Sequence, residues 1–142
     1  MKRRRIVLDT NVVVSAAIKP GGPEEFIVEL VAAHELALYA STAVIAEYET
    51  VFARPKFAHI DPTRIARLLE LLKDEAVLVI PRELVTESRD EPDNRFLECA
   101  ETAGAEYLIT GNKRDFPERW KSTRVMNARE LLRLIEDEAS GK

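Results

Sequence analysis

Ile6-Val7-Leu8-Asp9-Thr10-Asn11-Val12-Val13-Val14 decides how this chain is read. The apolar triplet at its start reads as a short buried strand, and Asp9 stands where that strand ends. A carboxylate at the end of a buried strand is costly to desolvate unless a partner, such as a metal ion, compensates it. Acids end strands in many proteins, so Asp9 alone does not define a site. Glu47, Asp93 and Asp115 further along the chain give it possible companions.

Outward from this segment, strand and helix signals alternate. Pro20-Gly21-Gly22-Pro23 marks a turn, and Phe26, Ile27, Leu30 and Val31 give residues 24–33 helical spacing. Residues 36–40 form the next strand candidate. Ser41 or Thr42 caps a helix that runs to about residue 53 and is stopped by Pro55. Asp61-Pro62 starts another, to about residue 74, before a third strand at 77–80 that Pro81 ends. Asp90-Glu91-Pro92 has the cap-then-proline pattern of a helix start, and Gly104 closes that helix. Residues 107–109 and 124–126 read as further strands, and 128–138 as a final helix. The alternation predicts an α/β fold with a mainly parallel sheet of four to five strands flanked by helices, in which ligands bind at the carboxyl ends of the strands. Asp9, the start of the Asp93 helix and the loop from Thr110 to Asp115 all fall on that edge.

The chain has 142 residues, 46% of them hydrophobic and 32% charged, enough for one domain with a real core. We place that domain over residues 1–138, with a short polar tail at 139–142. Met1-Lys2-Arg3-Arg4-Arg5 before an apolar run imitates a signal peptide, but Asp9 and Asn11 interrupt the run well short of export length. No stretch approaches the roughly 18 apolar residues of a membrane span. Cys99 is the single cysteine, so no intramolecular disulfide forms, which suits a cytoplasmic location. A net charge of −4 argues against a general nucleic-acid coat, yet 21 Lys and Arg residues leave room for a local basic patch.

Each acid has two readings. Glu47 borders the apolar arc of its helix, made by Val44, Ile45, Tyr48, Val51 and Phe52; it is either a solvated Glu beside Glu49 or a carboxylate leaning over the sheet edge. Asp93 shares a helical stripe with Phe96, Leu97, Ala100 and Ala103; it either serves the helix start electrostatically or ligates, whereas capping suits Asp90 and Glu91 better. Asp115 lies in Thr110-Gly111-Asn112-Lys113-Arg114-Asp115-Phe116-Pro117, either a plain turn or a site loop in which Thr110 and Asn112 position a ligand or a carboxylate. Hard cations such as magnesium or manganese need only a few converging oxygens. Zinc is disfavoured, because His34, His59 and Cys99 are scattered without ligand spacing. With no phosphate-cradling glycine loop, serine elbow or Cys–His pair, metal-assisted attack by water is the chemistry left.

Leu8-Asp9-Thr10-Asn11-Val12, Glu47, Asp93 before Phe96-Leu97 and Ala100, and Thr110-Gly111-Asn112-Lys113-Arg114-Asp115-Phe116 together resemble the PIN-domain family, in particular the small VapC-type toxin ribonucleases. The resemblance spans nearly the whole chain. It implies a Rossmann-like parallel sheet, an acidic cleft holding Mg2+ or Mn2+, and cleavage of single-stranded RNA. Asp9, Glu47 and Asp93 match the family's three central acids, and Asn11 and Thr110 its cleft-lining polar residues. Many members carry Asp where this chain has Asn112, while others show a Thr-x-Asn-x-x-Asp-Phe form that Asp115 fits, so either position could complete the cluster. Arg54, Lys113, Arg114 and Arg119 are candidates to guide the RNA backbone. The resemblance further implies a small antitoxin partner and a homodimer. The competing functions are a catalytically inactive PIN-fold module that binds RNA or protein, and a PIN nuclease of RNA processing that is not a toxin.

Overall fold

The computed structural model describes residues 3–88 and 90–141. Met1 and Lys2 of the basic lead-in, Arg89 and Lys142 of the polar tail lie outside the described residues. β1 (Arg4–Leu8) runs into α1 (Thr10–Ile18), followed by α2 (Pro23–Ala32), β2 (Leu36–Ala40), α3 (Thr42–Phe52), α4 (Pro62–Glu75), β3 (Val77–Leu78), α5 (Glu91–Ala103), β4 (Tyr107–Ile109), β5 (Arg119–Trp120), β6 (Thr123–Met126) and α6 (Ala128–Ala139). Short 3-10 turns at Pro55–Phe57 and Lys113–Asp115 complete the pattern.

The helix starts follow from local chemistry. Ser41 Oγ accepts from Val44 N, Asp61 Oδ1 accepts from Thr63 N, and Asn127 with Glu130 forms a reciprocal capping box. Gly104 closes α5 at φ 59°, a left-handed conformation that costs glycine little. α1 is an addition to the sequence reading. Three consecutive β-branched valines carry no helical signature. Asp9 supplies it, by sitting extended at the N-cap while its Oδ1 accepts from Thr10 N at 2.8 Å. Val12, Val13, Ala16 and Ala17 are then buried. The far end of α1 is held from α4, where Arg64 donates from Nε to Ala17 O at 2.8 Å and from Nη2 to Ala16 O at 3.3 Å while pairing with Glu25 of α2.

The sheet order is β3-β2-β1-β4-β6-β5. All pairings are parallel except β5 with β6. The expected mainly parallel α/β sheet is therefore present, with six strands rather than four or five. The extra one is the two-residue β5, which turns back onto β6 and is too short to leave a periodic signal. The third strand is shorter than 77–80: only Val77 and Leu78 pair, both exposed, at the sheet edge. β1 lies at the centre, flanked by β2 on one side and β4 on the other, so the chain winds outward from it first one way across the sheet and then the other. That reversal opens a crevice beyond the carboxyl ends of β1 and β4, the place where open α/β sheets bind ligands.

The core forms around the fully buried Ile6, Leu8, Leu38, Leu108 and Ile109 of the sheet, covered by Tyr48, Phe96, Leu97 and Leu131 from the helices. Cys99 is fully buried too, and its thiol is pushed up to about 12 by that burial. Among the described residues no helix is long and apolar enough to cross a membrane.

Candidate active site

Asp9 is delivered to the crevice by the end of β1, and both of its oxygens are engaged. Oδ1 takes the Thr10 amide, and Oδ2 accepts from the Thr110 hydroxyl at 2.7 Å. Thr110 Oγ1 in turn accepts from Asn112 N at 3.0 Å, so the β4 loop is tied to the carboxylate. Asn11 Oδ1 accepts from Gly111 N at 2.9 Å, a second tie between α1 and that loop. Asn112 Nδ2 donates to Asp115 Oδ2 at 2.7 Å, which aims Asp115 at the crevice. Phe116, buried behind it, anchors the turn.

From the opposite side come α3 and α5. Tyr48, fully buried, donates from its hydroxyl to Leu8 O at 2.5 Å and packs against Phe96 at 6.2 Å between centroids. This bond fixes α3 against the last residue of β1, so Glu47 is presented half-buried next to Asp9's strand. Asp93 is 7% exposed in the first turn of α5, with Ser88 Oγ donating to its Oδ2 at a long 3.5 Å.

These side chains line one cleft of about 430 Å³, whose walls include Asp9, Thr10, Asn11, Glu47, Asp90, Asp93 and Asp115. A second cavity of about 460 Å³ shares Asp90, Asp93 and Asp115 and continues past them to Ser88, Arg114, Phe116 and Pro117. Asp90, Asp93 and Asp115 thus border both hollows, whereas Asp9 and Glu47 line only the first. Among the described residues, no three His, Cys, Asp or Glu side chains are grouped tightly enough to hold a metal ion by themselves. Asp9, Glu47, Asp93 and Asp115 nonetheless line the same cavity.

The electrostatics carry the mark of uncompensated charge. Burial raises Asp9 to about 6, against the lowering effect of its bonds to Thr110 and Thr10, with the charges of Asp115 and Asp90 adding to the rise. Burial also raises Asp93 to about 7, helped by Asp90, Asp9 and Asp115. Desolvation is the larger cause of both rises and like-charge crowding the smaller.

Several placements differ from the sequence reading. Asp90 occupies the N-cap position of α5 but makes no capping bond and lines both hollows instead. Glu91 pairs with Arg95. Lys113 is engaged by Glu130 at 2.9 Å, and Arg119 lies on β5 outside both hollows, whereas Arg54 lines the first and Arg114 the second. His34 pairs with Glu75 at the surface. Thr10 escaped notice beside Asp9. It lines the cleft, is 8% exposed, and its Oγ1 is buried with no hydrogen-bond partner among the described residues. Glu98 is buried and accepts from Val85 N at 2.8 Å while pairing with Arg95, strapping the loop before α5 onto that helix.

Comparison with known proteins agrees with this architecture. A family model described as PIN domain matches residues 5–114. An uncharacterised protein of Methanocaldococcus jannaschii, MJ1680, is 31% identical over 111 residues, covering 77% of this chain and 71% of that protein. Among solved structures, PAE2754 from Pyrobaculum aerophilum superposes with a TM-score of 0.63 at 16% identity, covering 94% of this chain and 90% of that one. VapBC2 from Rickettsia felis, solved bound to a DNA fragment from its promoter, gives 0.57 at 19% identity, covering 87% and 98%.

Proposed function

The chain belongs to the PIN-domain family, and from that premise we propose that it is a divalent-metal-dependent endoribonuclease that cleaves single-stranded RNA as the toxin of a toxin–antitoxin pair. The observation that carries this reading is the single cleft lined by Asp9, Glu47, Asp93 and Asp115 at the reversal of strand order. The donor chemistry fits magnesium or manganese. Every candidate ligand is a hard oxygen, two of the carboxylates are destabilised as anions by burial, and Thr10 Oγ1 is a buried oxygen without a partner.

Asp9, Glu47, Asp93 and Asp115 would hold the ion. Bound there, it supplies an activated water and compensates charge on the phosphate. Thr110, Thr10 and Asn112 do the remaining orientation: the first two fix Asp9, and the third turns Asp115 inward. Arg54, in the first hollow, and Arg114, in the second, meet the flanking phosphates. A small antitoxin covering the cleft, and pairing of two copies of the chain, follow from the toxin assignment.

The test is incubation of the purified chain with a labelled single-stranded RNA in magnesium, in manganese and in EDTA, with Asp93→Asn as control. Metal-dependent cutting that the variant lacks supports the reading. Binding of metal and RNA without cutting would make the chain a binding module, and cutting without growth arrest on expression would make it a nuclease that is not a toxin.

A further inference from the structure

The first hollow has lining that the acids do not account for: the chain leaving α3, where Arg54, Lys56 and Phe57 line the same cleft as Asp9 and Asp93. Lys56 and Phe57 sit in the 3-10 turn that Pro55 imposes. Among the described residues neither Arg54 nor Lys56 has an ion-pair partner, although acids line the same cleft. Elsewhere Lys73, Arg64, Arg95 and Lys113 each take a carboxylate of this chain. The Lys56 ammonium rests 5.0 Å above the Phe57 ring, and Phe57 is braced edge-on by Phe52 at 6.2 Å.

A half-exposed aromatic ring braced by a buried one, an exposed lysine ammonium over that ring, and two cations without ion-pair partners among the described residues make up the parts of a single-strand binding site: a platform for a base and donors for the adjoining phosphates. The hollow, at about 430 Å³, is of the size of small-molecule sites and accommodates one nucleotide beside the acids. We propose that Arg54, Lys56 and Phe57 form a nucleotide subsite, in which Phe57 stacks the base next to the scissile phosphate while Lys56 swings off the ring to that nucleotide's phosphate. This rests on the reading of the cleft as a single-strand nuclease site. It adds where the strand is gripped and which residue sets the preference for an unpaired base: a base inside a duplex cannot leave its neighbours to lie on Phe57.

The test uses an RNA decamer with 2-aminopurine at successive positions, bound to the full chain carrying Asp9→Asn so that it stays uncut. Phe57→Ala weakens binding about tenfold and abolishes the fluorescence quenching at one position, while Phe57→Trp restores both. Phe57→Leu, which keeps the apolar contact with Phe52, behaves like Phe57→Ala at an unchanged melting temperature. Lys56→Ala and Arg54→Ala each lower the slope of log affinity against log salt by about one. Unchanged binding, quenching and salt slope in all of these variants overturn the subsite while leaving RNA cleavage by the otherwise native chain intact. Failure of the native chain both to bind and to cut RNA removes the nuclease reading and the subsite with it. An equal response with a DNA decamer of the same sequence keeps the subsite and removes its restriction to RNA.

Discussion

The two walls of the cleft are built on different principles. On the β1–β4 wall, Asp9, Asn11, Thr110, Asn112 and Asp115 are cross-linked by hydrogen bonds of 2.7–3.0 Å, so each is aimed by the fold. On the α3–α5 wall, the carboxylates of Glu47 and Asp90 accept no hydrogen bond among the described residues, and that of Asp93 has one long contact at 3.5 Å. Burial lifts both Asp93, to about 7, and Asp9, to about 6; the bonds from Thr110 and Thr10 offset part of the rise at Asp9, whereas Asp93 has only the long Ser88 contact against the charges of Asp90, Asp9 and Asp115. One wall is organised by folding, and the other keeps its freedom until something neutralises it.

The largest test of this contrast replaces each buried aspartate by asparagine. Both variants lose cleavage by more than about a hundredfold, since removing a ligand should exceed the 10- to 100-fold typical of losing a ligand's supporting partner. Their stabilities diverge. Asp93→Asn relieves an anion that has almost no donors and raises the melting temperature of the metal-free protein near pH 7.5. Asp9→Asn places an amide NH2 against Thr110, whose hydroxyl already accepts from Asn112 N, and gains little or loses stability. Equal melting temperatures for the two variants would erase the distinction between the walls.

A pH titration sharpens it. Both aspartates bind protons more tightly folded than unfolded, so their contribution is most favourable below about pH 4 and is lost as pH rises through about 6 for Asp9 and about 7 for Asp93. In EDTA, the stability advantage of Asp93→Asn over the native chain should therefore be nil at pH 4 and grow to a plateau above pH 7. Its ceiling is about 1.4 kcal/mol for each pH unit by which the pKa is displaced. Thermal unfolding of both proteins across this range measures it, and saturating magnesium or manganese should flatten the dependence of the native chain.

The smallest effects separate Asp115 from Asn112. Asp115 lines both hollows, whereas Asn112 lines neither and acts by donating to it. Asp115→Asn should weaken metal binding, read by calorimetry, about tenfold or more, and Asn112→Ala by only a few-fold. The reverse order would move the fourth ligand to Asn112.

Much of this architecture was legible because punctuation marks it. Ser41, Asp61, Asn127 and Gly104 announce helix ends, and Leu36–Ala40 and Tyr107–Ile109 are apolar runs between such marks. α1 was hidden because its evidence is a cap on one side chain followed by valines that favour strands. β5 was hidden because two residues have no period. Asp9, Glu47, Asp93 and Asp115 could be nominated from their places relative to strand ends. Local sequence could not reveal that Lys113 is taken by Glu130 from α6, that Asp90 forgoes its capping bond, or that Phe57 and Lys56 line the same cleft as the acids, since each depends on what a distant segment brings alongside.

The grip of Arg64 on the last carbonyls of α1 reaches back to the chemistry at its other end. A valine-rich helix of this length is marginal on its own, so α1 persists because Asp9 holds its start and α4, synthesised some fifty residues later, holds its finish. The carboxylate that caps α1 is thereby a late and cooperative product of folding: until α4 docks, the chain has the residues of a cleft but no fixed direction for Asp9. Its chemical competence is tied to completion of the tertiary structure, and local opening of α4 would release the acid before it unravels the sheet.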